Sequence, residues 1–323
     1  MIDLASLAFT GTQLHRPECV LTTADGTLHV SDWRGGVTLM APSGAQRTVL
    51  ARGEFKPRPN GIAILGSGDW LLAHLGDSEG GVFRLRSDGE LTPFLLEVDG
   101  VALPPTNYPH VDHLGRVWIT VSTRRQPRDL GYRPDVADGF VVLVDQGGAR
   151  IVADGLGYTN ECLIHPDTGQ LFVNETFARR LTRFDVDSHG ALSNRTEITR
   201  FGHGVYPDGL CFDADGGFWI TSIVSNRVIR VHASGEQEVV IEDADSDHLD
   251  WVEKAYIAGD MGRPHLDKAA GQRLRNISSL AFGGDDLRTI YLGCLLGDSV
   301  ATFRAPVAGL PTSHRAFRGN WWY

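Results

Sequence analysis

Six short phrases in the chain each begin with an oxygen-bearing side chain and run straight into an apolar stretch. The leading residues are Glu18, Asn60, Asn107, Asn160, Asp208 and Ser278. Together they supply two carboxylates, three amide carbonyls and a hydroxyl, with no cation in the set. If these side chains converge, the carboxylates of Glu18 and Asp208 repel each other and their pKa values rise. A bound cation resolves that conflict. All-oxygen donors suit hard or borderline divalent ions: Ca²⁺, Mg²⁺ or Mn²⁺, with Zn²⁺ and Fe²⁺ also in range. Few protein ligands would leave positions open for water and substrate, as metal-assisted hydrolysis requires. The plainer alternative is a ring of polar residues that binds ordered water.

The elements that would position these residues follow from the rest of each phrase. After the apolar stretch comes a Gly-containing turn and then an aliphatic or aromatic run. Examples are Asn107-Tyr-Pro-His-Val followed by Gly115-Arg-Val-Trp-Ile, and Asp208-Gly-Leu-Cys-Phe followed by Gly216-Gly-Phe-Trp-Ile. The leading positions are separated by 42, 47, 53, 48 and 70 residues, and the whole chain averages about 54 residues per phrase. That length holds a four-stranded antiparallel sheet with its connections. Helical repeats would need 3.6-residue stripes, whereas these segments are short and β-rich. The expected fold is all-β: one six-bladed β-propeller spanning residues 1–323, its innermost strands lining a central channel. Each leading residue would then start an innermost strand and face the channel mouth. The long last interval assigns an insertion with little strand character to residues 242–274. The terminal Trp321-Trp322-Tyr323 is expected to pack on the first blade.

Composition narrows the function classes. The 323 residues include 30 Lys and Arg against 40 Asp and Glu, a formal net charge of −10, and no basic stripe. A nucleic-acid partner is therefore not expected. No apolar run approaches the roughly 20 residues of a membrane span, and the first ten residues lack a basic leader. Cys19, Cys162, Cys211 and Cys294 are scattered without metal-knuckle spacing, which favours free thiols and a cytoplasmic address. The oligomeric state leaves no mark on the sequence.

Four stretches carry a family resemblance: Arg16-Pro-Glu-Cys-Val-Leu, Gly157-Tyr-Thr-Asn-Glu-Cys-Leu, Tyr206-Pro-Asp-Gly-Leu-Cys-Phe-Asp-Ala-Asp-Gly-Gly-Phe-Trp, and Phe282-Gly-Gly-Asp-Asp-Leu-Arg-Thr-Ile-Tyr. In these the chain resembles the SMP-30/gluconolactonase/regucalcin family. The resemblance implies a six-bladed propeller whose metal is held by Glu18, Asn160 and Asp208, with Asn107 touching substrate, and hydrolysis of sugar lactones. Two departures stand out. Sugar-lactone members can carry Arg two residues before the substrate Asn, where this chain has Pro105, and an acidic residue in the next loop, where it has Arg124-Arg125. An anionic or less hydroxylated lactone or small ester fits that Arg pair better than a plain aldonolactone. In the expected mechanism Asp208 is the general base, Glu18 is a ligand only, and Asn107 and Asn60 orient the ring. Residues 242–274 and 122–139 would shape substrate choice. The alternatives are a non-catalytic, metal-stabilised binding or scaffold propeller, or another metal-assisted reaction such as lyase chemistry.

Other motifs read as structure. Gly76-Asp77-Ser78-Glu79-Gly80 has the G-x-S-x-G form, yet it lies between two strand-like runs instead of a strand and a helix. Asp243-Ala-Asp245-Ser-Asp247 opens like a calcium loop but has His248 and Lys254 where Gly and Glu are needed. His110 and His203 lie near leading residues without zinc spacing. Strand alternation would put Cys162 on the same side as Asn160, and Trp70, Trp118 and Trp219 recur as packing residues.

Overall fold

The six phrases become six hairpins. In the first five the chain reverses through a glycine at positive φ (Gly26, Gly68, Gly115, Gly169 and Gly216, between 69° and 85°), a backbone region that costs other residues steric strain. A computed structural model describes residues 1–319, 321 and 322. In it each hairpin continues into a four-stranded antiparallel sheet, and the six sheets form a β-propeller. Blades 1 to 5 occupy residues 20–50, 59–95, 108–156, 159–200 and 206–242. Blade 6 takes three strands from residues 277–304 and its outermost strand, Ala8–Thr10, from the other end of the chain. That exchange closes the ring and covers the edge of Val300–Arg304.

The second strands carry the largest core residues. Trp70, Trp118 and Trp219 are fully buried, and each indole N–H has a partner. Trp118 Nε1 donates to Asp112 Oδ2 at 3.0 Å, Trp219 Nε1 to Asp213 Oδ2 at 2.7 Å, and Trp70 Nε1 to His29 Nδ1 at 3.0 Å. Packing alone is therefore an incomplete account of these tryptophans. Trp321 sits between blades 1 and 2, donating to the Gly68 carbonyl at 2.6 Å and meeting the His29 ring edge-on at 4.5 Å. Trp322 packs against the same core, and Tyr323 lies outside the described residues.

The insertion is helical. Residues 242–274 contain α1 (Ser246–Ala258) and α2 (Arg263–Asp267). Asp245 caps α1 by accepting from His248 N at 2.9 Å, and Gly259 ends it at φ 74°. The buried stripe of α1 is Leu249, Val252, Glu253 and Tyr256, while Trp251 and Ile257 are exposed. A charged residue inside the stripe and apolar ones outside it hide the helical period from the sequence. Glu253 anchors the helix by accepting from Tyr206 Oη at 2.9 Å and Gly204 N at 2.8 Å and by pairing with Arg179. Among the described residues no helix is long and apolar enough to cross a membrane.

Candidate functional site

Four of the six innermost strands are bulged just where the leading polar residue sits. Ladder register slips between Pro59 and Ile62, Thr159 and Cys162, Pro207 and Leu210, and Ile277 and Leu280. Each bulge contains a leading residue (Asn60, Asn160, Asp208, Ser278) and the residue after it. A bulge re-aims side chains and breaks strict alternation. It also brings the backbone close to the next blade: a Cβ on Gly61 would lie 2.9 Å from the Asn107 carbonyl, and one on Gly209 2.6 Å from that of Ser278. At the same position in blade 4 stands Glu161, whose Oε2 accepts from Leu210 N of blade 5 at 2.9 Å. The slip puts Cys162 in the packing between blades 3 and 4, not in the channel.

Glu18, Asn60, Asn107, Asn160 and Asp208 come together around one narrow space at the start of the innermost strands. All five are buried, none more than 6 % exposed. Ser278 and Ser279 border its inner part, and the Ser278 hydroxyl donates to the Glu18 carbonyl at 2.8 Å. The Asn160 amide N–H donates to Thr176 Oγ1 at 3.0 Å, and Thr176 in turn donates to the Pro207 carbonyl at 2.8 Å. The Asn107 amide N–H donates to Ser122 Oγ at 3.0 Å. Both asparagines are thereby oriented, and Asn107 Oδ1 is left buried with no partner.

The electrostatics differ from the sequence expectation in two respects. Glu18 does have a cation beside it: Arg16 approaches to 3.0 Å. A third carboxylate, Glu161, was hidden by the bulge; burial raises its pKa to about 8, with Glu18 adding to the rise against the hydrogen bonds from Leu210 N and Ser279. Asp208 is pushed well above the usual carboxylate range by burial first, then by Glu18 and Glu161. Arg16 thus offsets only part of the crowded negative charge. Among the described residues no three His, Cys, Asp or Glu side chains gather as a metal cluster. A cation here would rely on Glu18 and Asp208 together with amide oxygens such as the unpartnered Asn107 Oδ1. That donor set fits a hard divalent ion.

Above this ring the mouth is lined by Arg16, Arg128 and Arg263, by Tyr132, Tyr158 and Phe177, and by Leu266 and Leu295. Residues 122–139 supply Arg128 and Tyr132, and the insertion supplies Arg263 and Leu266. Arg128 donates to Tyr158 Oη through Nε at 2.9 Å and Nη2 at 2.6 Å. Tyr132 stacks on Phe177 with ring centres 4.6 Å apart. Arg16 and Tyr158, each two residues before a leading residue, hold positive φ (49° and 69°), on the order of 1–3 kcal/mol of strain apiece. Arg124 and Arg125 are not in the lining. Arg124 pairs bidentately with Asp154 at 2.8 and 2.9 Å, and Arg125 lies 3.4 Å from Asp138, all on blade 3 and its loop. The space left at the mouth is about 20 Å³, enough for a water or an ion.

The opposite end of the channel is wider and apolar. A cavity of about 260 Å³ is lined there by Leu21, Leu163, Phe212, Phe282, His110 and His314, among others. The segment around Leu310–His314 crosses it, tied by Leu310 N to the Phe212 carbonyl at 2.9 Å and by Ser313 to the Val111 carbonyl. His110 therefore faces away from the leading residues, and His203 is exposed beside Asp250. Ser78 is exposed in a hairpin loop and contacts Glu79. Asp243 accepts from the backbone N–H groups of Gln272, Arg273 and Leu274 at 2.7–2.9 Å, closing the insertion.

Comparison with known proteins agrees with this fold. The chain is 27% identical over 216 residues to a 6-deoxy-6-sulfogluconolactonase of Pseudomonas putida, over 66% of this chain and 62% of that protein. It thus spans less than two thirds of that relative. A solved gluconolactonase of Xanthomonas campestris superposes with a TM-score of 0.68 at 20% identity, over 93% of this chain and 89% of that one. A calcium-binding regucalcin of Agrobacterium tumefaciens superposes with a TM-score of 0.65 at 16% identity, over 96% and 95%. At such identities the two structures speak for the fold alone. Residues 16–244 match the family described as the SMP-30/Gluconolactonase/LRE-like region, so this chain belongs to the SMP-30/gluconolactonase/LRE-like family.

Proposed function

We propose that the protein is a divalent-metal-dependent hydrolase that opens a lactone. The observation that carries this reading is the convergence of Glu18, Asn160 and Asp208 with Asn107 and Asn60, from five separate blades, at one buried end of the channel. A lactonase among the relatives supports the reaction class, and the oxygen donor set supports calcium as a candidate ion.

Glu18, Asn160 and Asp208 would hold the ion. When bound, it supplies Lewis-acid polarisation of the lactone carbonyl and makes water easier to deprotonate. Asp208 takes the proton of the attacking water, and Glu18 serves only as a ligand. Asn107 and Asn60 orient the ring and offer polar contacts to oxygens that gain charge. Tyr132, Phe177 and Leu266 exclude bulk water from above. A lactone ring is larger than the present space, so its admission requires side chains of residues 122–139 and of the insertion to rotate outward. Four unpaired, buried cysteines support a cytoplasmic address.

The test is a proton-release assay on a panel of lactones, comparing metal-stripped protein with protein restored by Ca²⁺, Mn²⁺, Mg²⁺ or Zn²⁺. Turnover that returns with metal supports the reading. A folded protein that binds metal tightly and opens none of the lactones overturns it.

A further inference from the structure

Three guanidinium groups meet at the mouth, and among the described residues only two of them have a carboxylate within ion-pair distance. Arg263 pairs with Asp267 on its own helix. Arg16 leans on Glu18. Among the described residues Arg128 has no carboxylate within ion-pair distance; both of its hydrogen bonds go to the neutral Tyr158 hydroxyl. Arg128 Nη1 is buried without a partner, and so is the Tyr132 hydroxyl beside it in the lining. The arginines also sense one another: burial lowers the Arg16 pKa, Glu18 opposes this, and Arg263 and Arg128 push it further down.

A guanidinium withdrawn from water without a counter-ion is costly, and one orphaned N–H edge makes it more so. A divalent ion held by Glu18 and Asp208 would sharpen the imbalance, since Glu18 would then be shared between the ion and Arg16. The remaining positive charge points into the space directly above the leading residues.

We propose that Arg128, Arg263 and Arg16 form the receptor for an anionic acid group on the substrate, so that the preferred lactone carries a carboxylate, sulfonate or phosphate remote from its ring carbonyl. Arg128 is the principal contact, because its free Nη1 edge accepts a bidentate partner without losing an existing bond. Arg263 comes from the insertion and Arg128 from residues 122–139, so both covering segments contribute to one contact. The acid group draws the two side chains onto itself and away from the ring position. This inference rests on the hydrolase reading for its substrate, though not for the anion site itself.

The experiment compares kcat/KM for D-glucono-1,5-lactone with D-glucaro-1,4-lactone, 6-phospho-D-glucono-1,5-lactone and its 6-sulfo counterpart on metal-restored protein. The anionic members are expected to be favoured by about 10- to 100-fold, and the best of them identifies the acid. In Arg128→Gln and Arg263→Gln the anionic-to-neutral ratio, in which general damage cancels, should drop about tenfold, with partial recovery in Arg128→Lys. A wild-type ratio near one, or a ratio unmoved in both variants, overturns the inference and leaves the hydrolase reading standing. If no lactone is opened at all, the hydrolase reading falls, and thermal shifts with inorganic sulfate decide the anion site. Sulfate should then raise the melting temperature of the wild type more than that of Arg128→Gln, and equal shifts overturn it.

Discussion

The two ends of the channel are built from the same strands to opposite purposes. At one end the strands begin with Glu18, Asn60, Asn107, Asn160 and Asp208 around a space of about 20 Å³. At the other they finish in Leu21, Leu163, Phe212 and Phe282 around about 260 Å³. The larger cavity is the one that size alone would select, yet it holds no crowded carboxylates and no unpaired guanidinium. Burial holds two of its histidines below the usual imidazole value, His110 at about 4 with Asp112 opposing, and His314 at about 3. At the polar end the sequence spends stability on clustered charge and strained backbone. At the apolar end it recovers stability by burying side chains. Volume marks where packing is loose, whereas unpaired charge marks where a ligand can bind.

This contrast breaks if substitutions at the two ends produce the same phenotype. The largest effect is expected for Asp208→Asn, which should lower turnover by about 10²–10⁴-fold and weaken metal binding. It should also raise the melting temperature of the metal-free chain, because a carboxyl whose ionised form is disfavoured by burial, Glu18 and Glu161 is gone. A variant that keeps both its rate and its metal content refutes the assignment. Next comes Phe282→Ala at the apolar end, where the ring is 5 % exposed and meets Trp219 edge-on at 5.3 Å. It should cost about 3 kcal/mol in a denaturant titration while metal content stays unchanged.

Acid offers a third test. The folded-state pKa values of His29 (about 3), His110 and His314 lie below the unfolded value, with burial the leading cause. The unfolded chain therefore takes up protons that the folded chain refuses. The contribution of these imidazoles is full above pH 6.5 and falls as the pH drops toward 4, by about 1.4 kcal/mol per pH unit for each at most, while Glu161 and Asp208, with raised pKa values, act in the opposite direction. Denaturant midpoints measured from pH 7 to 4.5 should show this slope, flattened in His110→Gln. The smallest effect belongs to Arg124→Ala. Its exposed pair with Asp154 should contribute no more than about 1 kcal/mol, and lactone preference should not change. A preference that shifts with Arg124 but not Arg128 would move the anion contact to the rim.

What the sequence disclosed was local. The polar residue, the apolar run and the glycine turn sit within about a dozen residues of one another, so all six innermost strands start within two residues of the leading ones. Non-local features stayed hidden. Glu161 was missed because alternation turned it away from the channel, and only a bulge set by the neighbouring blade turns it back. Arg124 and Arg125 drew notice as a pair, but Asp154 and Asp138 hold them outward. Arg128, three residues on, enters the lining because the short 3-10 turn Arg128–Gly131 redirects the chain. Arg263 depends on the docking of α1 through Glu253, a charged residue no apolar pattern would place in a buried stripe.

The borrowed strand of blade 6 has a consequence in time. During synthesis Ala8–Thr10 emerges nearly 300 residues before its partner Val300–Arg304. At about 5–20 residues per second, the first strand waits roughly 15–60 s for its pairing. By the end of that interval the growing chain carries five blades and two open edges, exposed to any β-strand nearby. The circle is sealed only once Val300–Arg304 has been made, so a chain terminated before it is an unclosed one, and such products should aggregate or be degraded instead of persisting as partial enzymes.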